Sequence, residues 1–127
     1  MANPNIINAT SILGKTVFDD NIDSASATAI VSNSSTSGKV LKINSLIIAN
    51  IDTAVPPQSA DITVTIENAS GSTTYSTLAK DIAVPAYATL VVISKDTSIY
   101  LEEDMSLYVK ASVAGDLSAT CSYEEIS

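Results

Sequence analysis

The chain is expected to fold as an all-β protein, an antiparallel β-sandwich of jelly-roll or Greek-key type with eight to nine strands. Three observations lead there. Apolar residues recur with a period of two, so that one face of each segment is buried and the other is wet. Polar, turn-forming clusters of Asn, Asp, Ser, Gly and Pro break these segments at short intervals. No stretch sustains the 3.6-residue apolar period of a helix. Short connections force antiparallel pairing, because parallel strands need long crossovers.

Taken in order, residues 1–13 read as an extended N-terminal arm, polar at first and apolar at Ile6, Ile7, Ile12 and Leu13. Residues 14–127 read as a single sandwich domain. Within Ile6–Phe18 one or two short strands are expected. Asp19–Asp23 is an acidic loop, Ala25–Ser32 a strand with a shallow face, and Asn33–Gly38 a turn. Lys39–Ile51 is the longest apolar segment. Strict alternation there puts Leu41, Ile43, Ile47, Ala49 and Ile51 on one face. The other face starts polar at Lys42 and Asn44 and turns apolar at Leu46 and Ile48, which suggests burial on both sides at one end or a contact with a partner. Pro56-Pro57 marks a loop.

Asp61–Glu67 gives the cleanest alternation, with Ile62, Val64 and Ile66 inward. Asn68–Ser72 closes a hairpin. Thr73–Val84 has Lys80 between Leu78 and Ile82, the mark of a bulge or an edge. Three short strands follow within Thr89–Ser112: Leu90–Ile93, Ile99–Leu101, and a third carrying Met105, Leu107, Val109 and Ala111 on one face. Lys95–Thr97 and Glu102–Asp104 separate them. Ala114-Gly115-Asp116 turns into a last strand that alternates at Leu117, Ala119, Cys121 and Tyr123.

Composition narrows the function by exclusion. The chain has 127 residues, room for one domain with a real core. It carries 14 acidic residues against 6 basic ones, all of them Lys, for a net charge of −8. Without Arg, and with that charge, binding to nucleic acid or to an anionic membrane is not expected. The single cysteine, Cys121, excludes an intrachain disulfide and reads as a buried strand residue. The N-terminus lacks the pattern of a signal peptide, and no apolar run is long enough to span a bilayer, so synthesis in a cytoplasm is expected.

Each chemical motif meets a simpler explanation. Gly14-Lys15-Thr16 resembles the end of a phosphate-binding loop, but Ala9 stands where the leading Gly belongs. Asp19, Asn21 and Asp23 match the opening of a calcium loop, the one candidate metal site. Ser24 and Ile30 then replace the Gly and Glu of an EF-hand. Glu102-Glu103-Asp104 reads as a solvated hairpin cap. The chain has no His and no Trp. That removes the usual general base, the usual zinc ligand and the usual platform for sugars, so an enzyme is not expected and no cofactor is called for. Asn8-Ala9-Thr10, Asn33-Ser34-Ser35 and Asn68-Ala69-Ser70 fit the glycosylation pattern, which is common by chance in so Ser/Thr-rich a chain.

Several segments carry a resemblance: MANPNI with Gly14-Lys15-Thr16, KVLKINSLIIANID at Lys39–Asp52, ADITVTI at Ala60–Ile66, AVPAYATLVVISKDTSIYLEEDMSLYVKAS at Ala83–Ser112, and AGDLSATCSYEEIS to the end. In these the chain resembles small virion structural proteins of tailed phages of marine bacteria, especially cyanophages. Family members often have Gly where this chain has Asp104 or Met105. The resemblance implies a virion component. A decoration or cement protein on the outer capsid surface fits best, with the major capsid protein as partner and a homo-oligomer, a trimer by closed symmetry. A neck, baseplate or tail-fibre module that contacts host glycans is the alternative. The expected contact residues are Ile6, Ile7, Ile12, Leu13, Leu46 and Ile48.

Overall fold

The computed structural model describes residues 3–127 and contains nine strands in two antiparallel sheets. They are β1 (Ile12–Asp19), β2 (Thr28–Asn33), β3 (Val40–Asn50), β4 (Ala60–Glu67), β5 (Thr74–Val84), β6 (Thr89–Ile93), β7 (Ile99–Leu101), β8 (Met105–Ala111) and β9 (Leu117–Ile126). Two 3-10 turns, Ile6–Asn8 and Lys95–Thr97, are the only helical pieces among the described residues.

The pairings are nested. β4 pairs with β5, β3 with β6 and β7, β2 with β8, and β1 with β9. The chain is thus one long hairpin rolled up on itself. Two further pairings, β3 with β9 and β4 with β8, join the halves into sheets ordered β1-β9-β3-β6 and β2-β8-β4-β5. β7 extends the first sheet beside β6, on the same side of β3. This is the jelly roll, and β6 and β7 together form one of its eight strands.

The core lies between the sheets. From the first come Leu41, Ile43, Leu46 and Ile48 of β3, Leu117, Ala119 and Cys121 of β9, Ile93 and Leu101. From the second come Ile62 and Val64 of β4, Leu107, Val109 and Ala111 of β8, Val31 and Val84. Ile22, in the loop after β1, closes one end. Each large side chain buried in this way stabilises the fold by roughly 1.5–3 kcal/mol.

The inward set on β3 differs from the one that strict alternation predicts. Ile43 pairs with Tyr123 and Ser45 with Ser122, so Asn44 is an extra residue with no partner on β9. This bulge switches the face of every later residue. Leu46 and Ile48 are therefore fully buried, both at 0% exposure, while Ile47 faces out. The apolar-on-both-sides reading of this strand, and with it the assignment of Leu46 and Ile48 to a partner contact, is corrected. They belong to the chain's own core.

The start of the domain also moves. Ile12 and Leu13 do not lie in an arm but open β1, because β9 is long enough to pair every residue from Ile12 to Asp19. Just before them, Thr10 and Ser11 donate backbone N–H groups to the Ser127 carbonyl at 2.7 and 3.0 Å.

Two buried asparagines tie the sheets together. Asn33, at the end of β2, donates to the carbonyls of Lys39 and Leu101 at 2.9 and 3.1 Å, and its Oδ1 accepts from the Ser37 hydroxyl. Asn50, at the end of β3, donates to the carbonyls of Gln58 and Val84, both at 2.9 Å, and accepts from the Asp52 N–H at 3.0 Å. Each side chain crosses from one sheet to the other and satisfies loop carbonyls that water cannot fully reach.

The bulge sets a clear expectation for urea unfolding. Leu46→Ala should lower stability by about 2–5 kcal/mol. Ile47→Ala, next to it but facing out, should cost less than about 1 kcal/mol. Equal losses at the two positions would mean that β3 has no face switch at Asn44.

Candidate interaction surface

The outer face of the first sheet follows directly from the register. Phe18 of β1 lies opposite Thr120 of β9, which lies opposite Ile47 of β3, which lies opposite Val91 of β6. Opposed residues share a face, so these side chains form one row across the whole sheet. Phe18, Ile47 and Val91 are exposed at 76%, 36% and 55%. Ala49, Thr89 and Ser118 form the next row, and the exposed Tyr100 of β7 stands towards the other end.

The charges on this face are few. Lys42 of β3 and Glu124 of β9 point outward and are direct register partners. In a chain of net charge −8 this face is electrically neutral. The outer face of the second sheet is the opposite case. Asp61 and Thr63 of β4 and Lys110 of β8 lie on it. A shallow depression of about 400 Å³ there is lined by Ser24, Asp61, Thr63, Asp81, Lys110, Ala111 and Ser112. Asp81 sits in the left-handed region at φ 49° and exchanges two hydrogen bonds with Thr63: the Asp81 N–H donates at 3.1 Å, and the Thr63 hydroxyl donates back at 3.2 Å.

The remaining candidates from the sequence find structural employment. Asp19 and Asp23 each accept a backbone N–H two residues ahead, from Asn21 at 2.9 Å and from Ala25 at 3.0 Å. One oxygen of each thus caps a turn. Among the described residues no group of three or more His, Cys, Asp or Glu side chains could hold a metal ion. Lys15 of the Gly14-Lys15-Thr16 stretch is in the middle of β1, where its ammonium reaches Glu125 at 2.8 Å.

Glu102-Glu103-Asp104 is less wet than expected. Glu103 is buried, and Glu102 accepts from the Asn3 amide at 2.7 Å. Asp104, at φ 63°, accepts from the Ala69 N–H at 3.1 Å and from the Tyr75 hydroxyl at 3.3 Å. The acidic turn therefore clasps the neighbouring hairpin. At the tip of that hairpin Gly71 has a φ of 75°, which favours glycine, and a Cβ there would come within 2.7 Å of the Tyr108 hydroxyl, so the ring would have to shift.

Ile6, Ile7, Ile12 and Leu13 are all exposed. Strict alternation assigns Ile47 to the inward face because it carries the parity of β3 through the bulge, and the row that joins Ile47 to Phe18 and Val91 follows only from the strand order. The signal for Ile47 lies in the Asn44-Ser45 pair, two polar residues between an apolar series on odd positions and another on even positions.

No protein-family model matches the chain, and no curated protein matches it in sequence. No helix among the described residues is long and apolar enough to cross a membrane.

Two groups on β9, one in the core and one at its edge, lend themselves to measurement. Burial pushes the Cys121 thiol up to about 12. It should stay unreactive towards a thiol reagent in the native protein and react fully in denaturant; fast native labelling would contradict its place in the core. Glu125 accepts from Lys15 and from Lys39, both at 2.8 Å, and these partners hold its carboxyl below the usual value of 4.5. A depressed carboxyl contributes stability that is fully present above its unfolded-state pKa and is lost as pH falls through the folded one. Glu125→Gln should therefore flatten the loss of stability in that acid range and lower stability at neutral pH, read from urea midpoints against pH.

Proposed function

We propose that the protein is a structural component of a tailed-phage virion, a decoration or cement protein that sits on the outer capsid surface. The major capsid protein is the partner, and synthesis is in the host cytoplasm. The observation that carries this reading is the neutral, apolar-striped face formed by Phe18, Thr120, Ile47 and Val91 on a strongly acidic molecule. Such a face loses little on desolvation and suits attachment to another protein, while the acidic remainder keeps the particle soluble. The segment-by-segment resemblance to small virion proteins supports the same conclusion. Fold by itself does not, since jelly rolls host many functions.

A second reading, a neck, baseplate or tail-fibre module that contacts host glycans, is favoured by one feature. The depression on the second sheet brings hydroxyls of Ser24, Thr63 and Ser112 beside the carboxylates of Asp61 and Asp81 and the ammonium of Lys110. These are groups that can hydrogen-bond a sugar. The capsid reading is preferred because the depression is open and offers no aromatic side chain on which a sugar could stack.

Reconstruction of purified virions at side-chain resolution decides between them. The expected result is density for this chain on the head, with Ile47 and Val91 against the shell. Ile47→Lys with Val91→Lys should reduce occupancy on heads by about tenfold or more without loss of fold. Density confined to the tail, or unchanged occupancy in the double variant, would overturn the capsid reading. Binding to a glycan that is lost in Asp61→Ala would favour the second.

A further inference from the structure

A sandwich of this kind has four sheet edges, and an exposed edge is a template for pairing with another chain unless something blunts it. Three of the four are blunted here. β2 is short and interrupted by a register shift between Ala29 and Val31. β5 carries three register shifts against β4, with Lys80 and the left-handed Asp81 in its middle. The edge made by β6 and β7 is broken by the 3-10 turn Lys95–Thr97.

β1 has none of these devices. It pairs with β9 over eight consecutive residues, Ile12–Asp19, without a shift. Ile12 to Thr16 are all exposed, as is Phe18. Its one cation, Lys15, is the residue that would normally guard the edge, and it is folded back onto Glu125. The strand ends in Asp19, so its own two charges cancel.

From this contrast we infer that β1 is a pairing edge, and that its occupant is β1 of a second copy of the chain, joined antiparallel about a two-fold axis through Thr16. The side-chain pattern of β1 is self-complementary in that register. Thr16 opposes Thr16 of the other copy, a favourable cross-strand pair. Gly14 opposes Phe18. At Gly14 the space that a Cβ would enter is empty to 4 Å, so the exposed Phe18 ring has bare backbone to cover, once in each direction. Lys15 opposes Val17 and lies diagonal to Asp19 of the other copy, within reach of a long side chain and opposite in sign. Asp19 of one copy thus lies near the Lys15–Glu125 pair of the other.

The contact joins two β1-edged sheets into one continuous sheet, a closed two-fold dimer in place of the trimer that symmetry alone suggested. An eight-residue edge buries less than a standard interface, so the dimer is in exchange with monomer and depends on concentration. Phe18 belongs both to this edge and to the outer-face row, whereas Thr16 lies on the edge alone, so Thr16→Lys tests the dimer without touching Ile47 or Val91, on which the virion reading is tested.

Sedimentation equilibrium of the full chain over a wide concentration range tests it. The weight-average mass should rise from 13.2 kDa towards twice that value. Thr16→Lys places like charges directly opposite each other and should raise the dissociation constant by about tenfold or more. Phe18→Ser should act in the same direction. Both side chains are exposed, so circular dichroism and the unfolding midpoint should stay near wild type. Val91→Ser, on the outer face and away from the edge, should leave dimerisation unchanged. Thr16→Cys should give an interchain disulfide under mild oxidation, with the buried Cys121 as no competitor. A chain that stays monomeric throughout, or a dimer indifferent to Thr16→Lys and Phe18→Ser, would overturn the inference.

Discussion

The structure depends most on one extra residue in its central strand. Among the described residues β3 is the only strand paired with three others, β9 on one side and β6 and β7 on the other. Its inward residues Leu41 and Ile43 face the core beside β7, and Leu46 and Ile48 face it beside β6. Asn44 reconciles the two halves. It absorbs one residue without a partner on β9, so that both pairs of apolar side chains reach the same interior. A matching shift lies between Leu46 and Ile47 against β6, so both neighbours of β3 adjust near the same point. Local twist increases at such places, and the sheet can curve around the core.

The two sheets need more than apolar contact to keep their alignment, because apolar packing is non-directional. Asn33 and Asn50 supply direction at places where the chain passes between the sheets. An amide suits the task better than a carboxylate or a hydroxyl. It donates two hydrogen bonds to carbonyls and accepts one from a loop, all without burying a charge. Among the described residues no buried side-chain polar atom is left without a partner, as expected for a core whose polar inclusions are few and specific.

Much of this was legible in the sequence, and the failures have physical causes. The strands of the second half are legible nearly in place, because Met105–Ala111 and Leu117–Cys121 alternate without interruption and each has one wet face. β1 was harder. As an edge strand exposed on both faces it shows little alternation, and Ile12 and Leu13 looked like an arm. In β3 the alternation marks the extent of the strand but reverses its second half, because a period-two argument carries no information past an inserted residue. Loop chemistry was legible only as composition. Asp19, Asn21 and Asp23 have the spacing of metal ligands, yet that spacing is also the spacing of side chains that cap the backbone two residues ahead. Spacing alone cannot separate the two.

The same register that builds the core also sorts the surface. Lys42 and Glu124 oppose each other on the first sheet, and the net charge of the molecule is carried by loops, by hairpin tips and by the second sheet. This is a consequence of pairing β3 with β9 at one register. A shift of one residue would turn Leu46 and Ile48 outward, bury Lys42 and Ile47, and leave Glu124 without its counter-charge. The neutral face and the buried core are thus fixed by one ladder of hydrogen bonds, and neither can change without the other. Substitutions that keep the ladder but alter Phe18, Thr120, Ile47 or Val91 act on the surface alone, which makes this row the part of the molecule most free to match a partner.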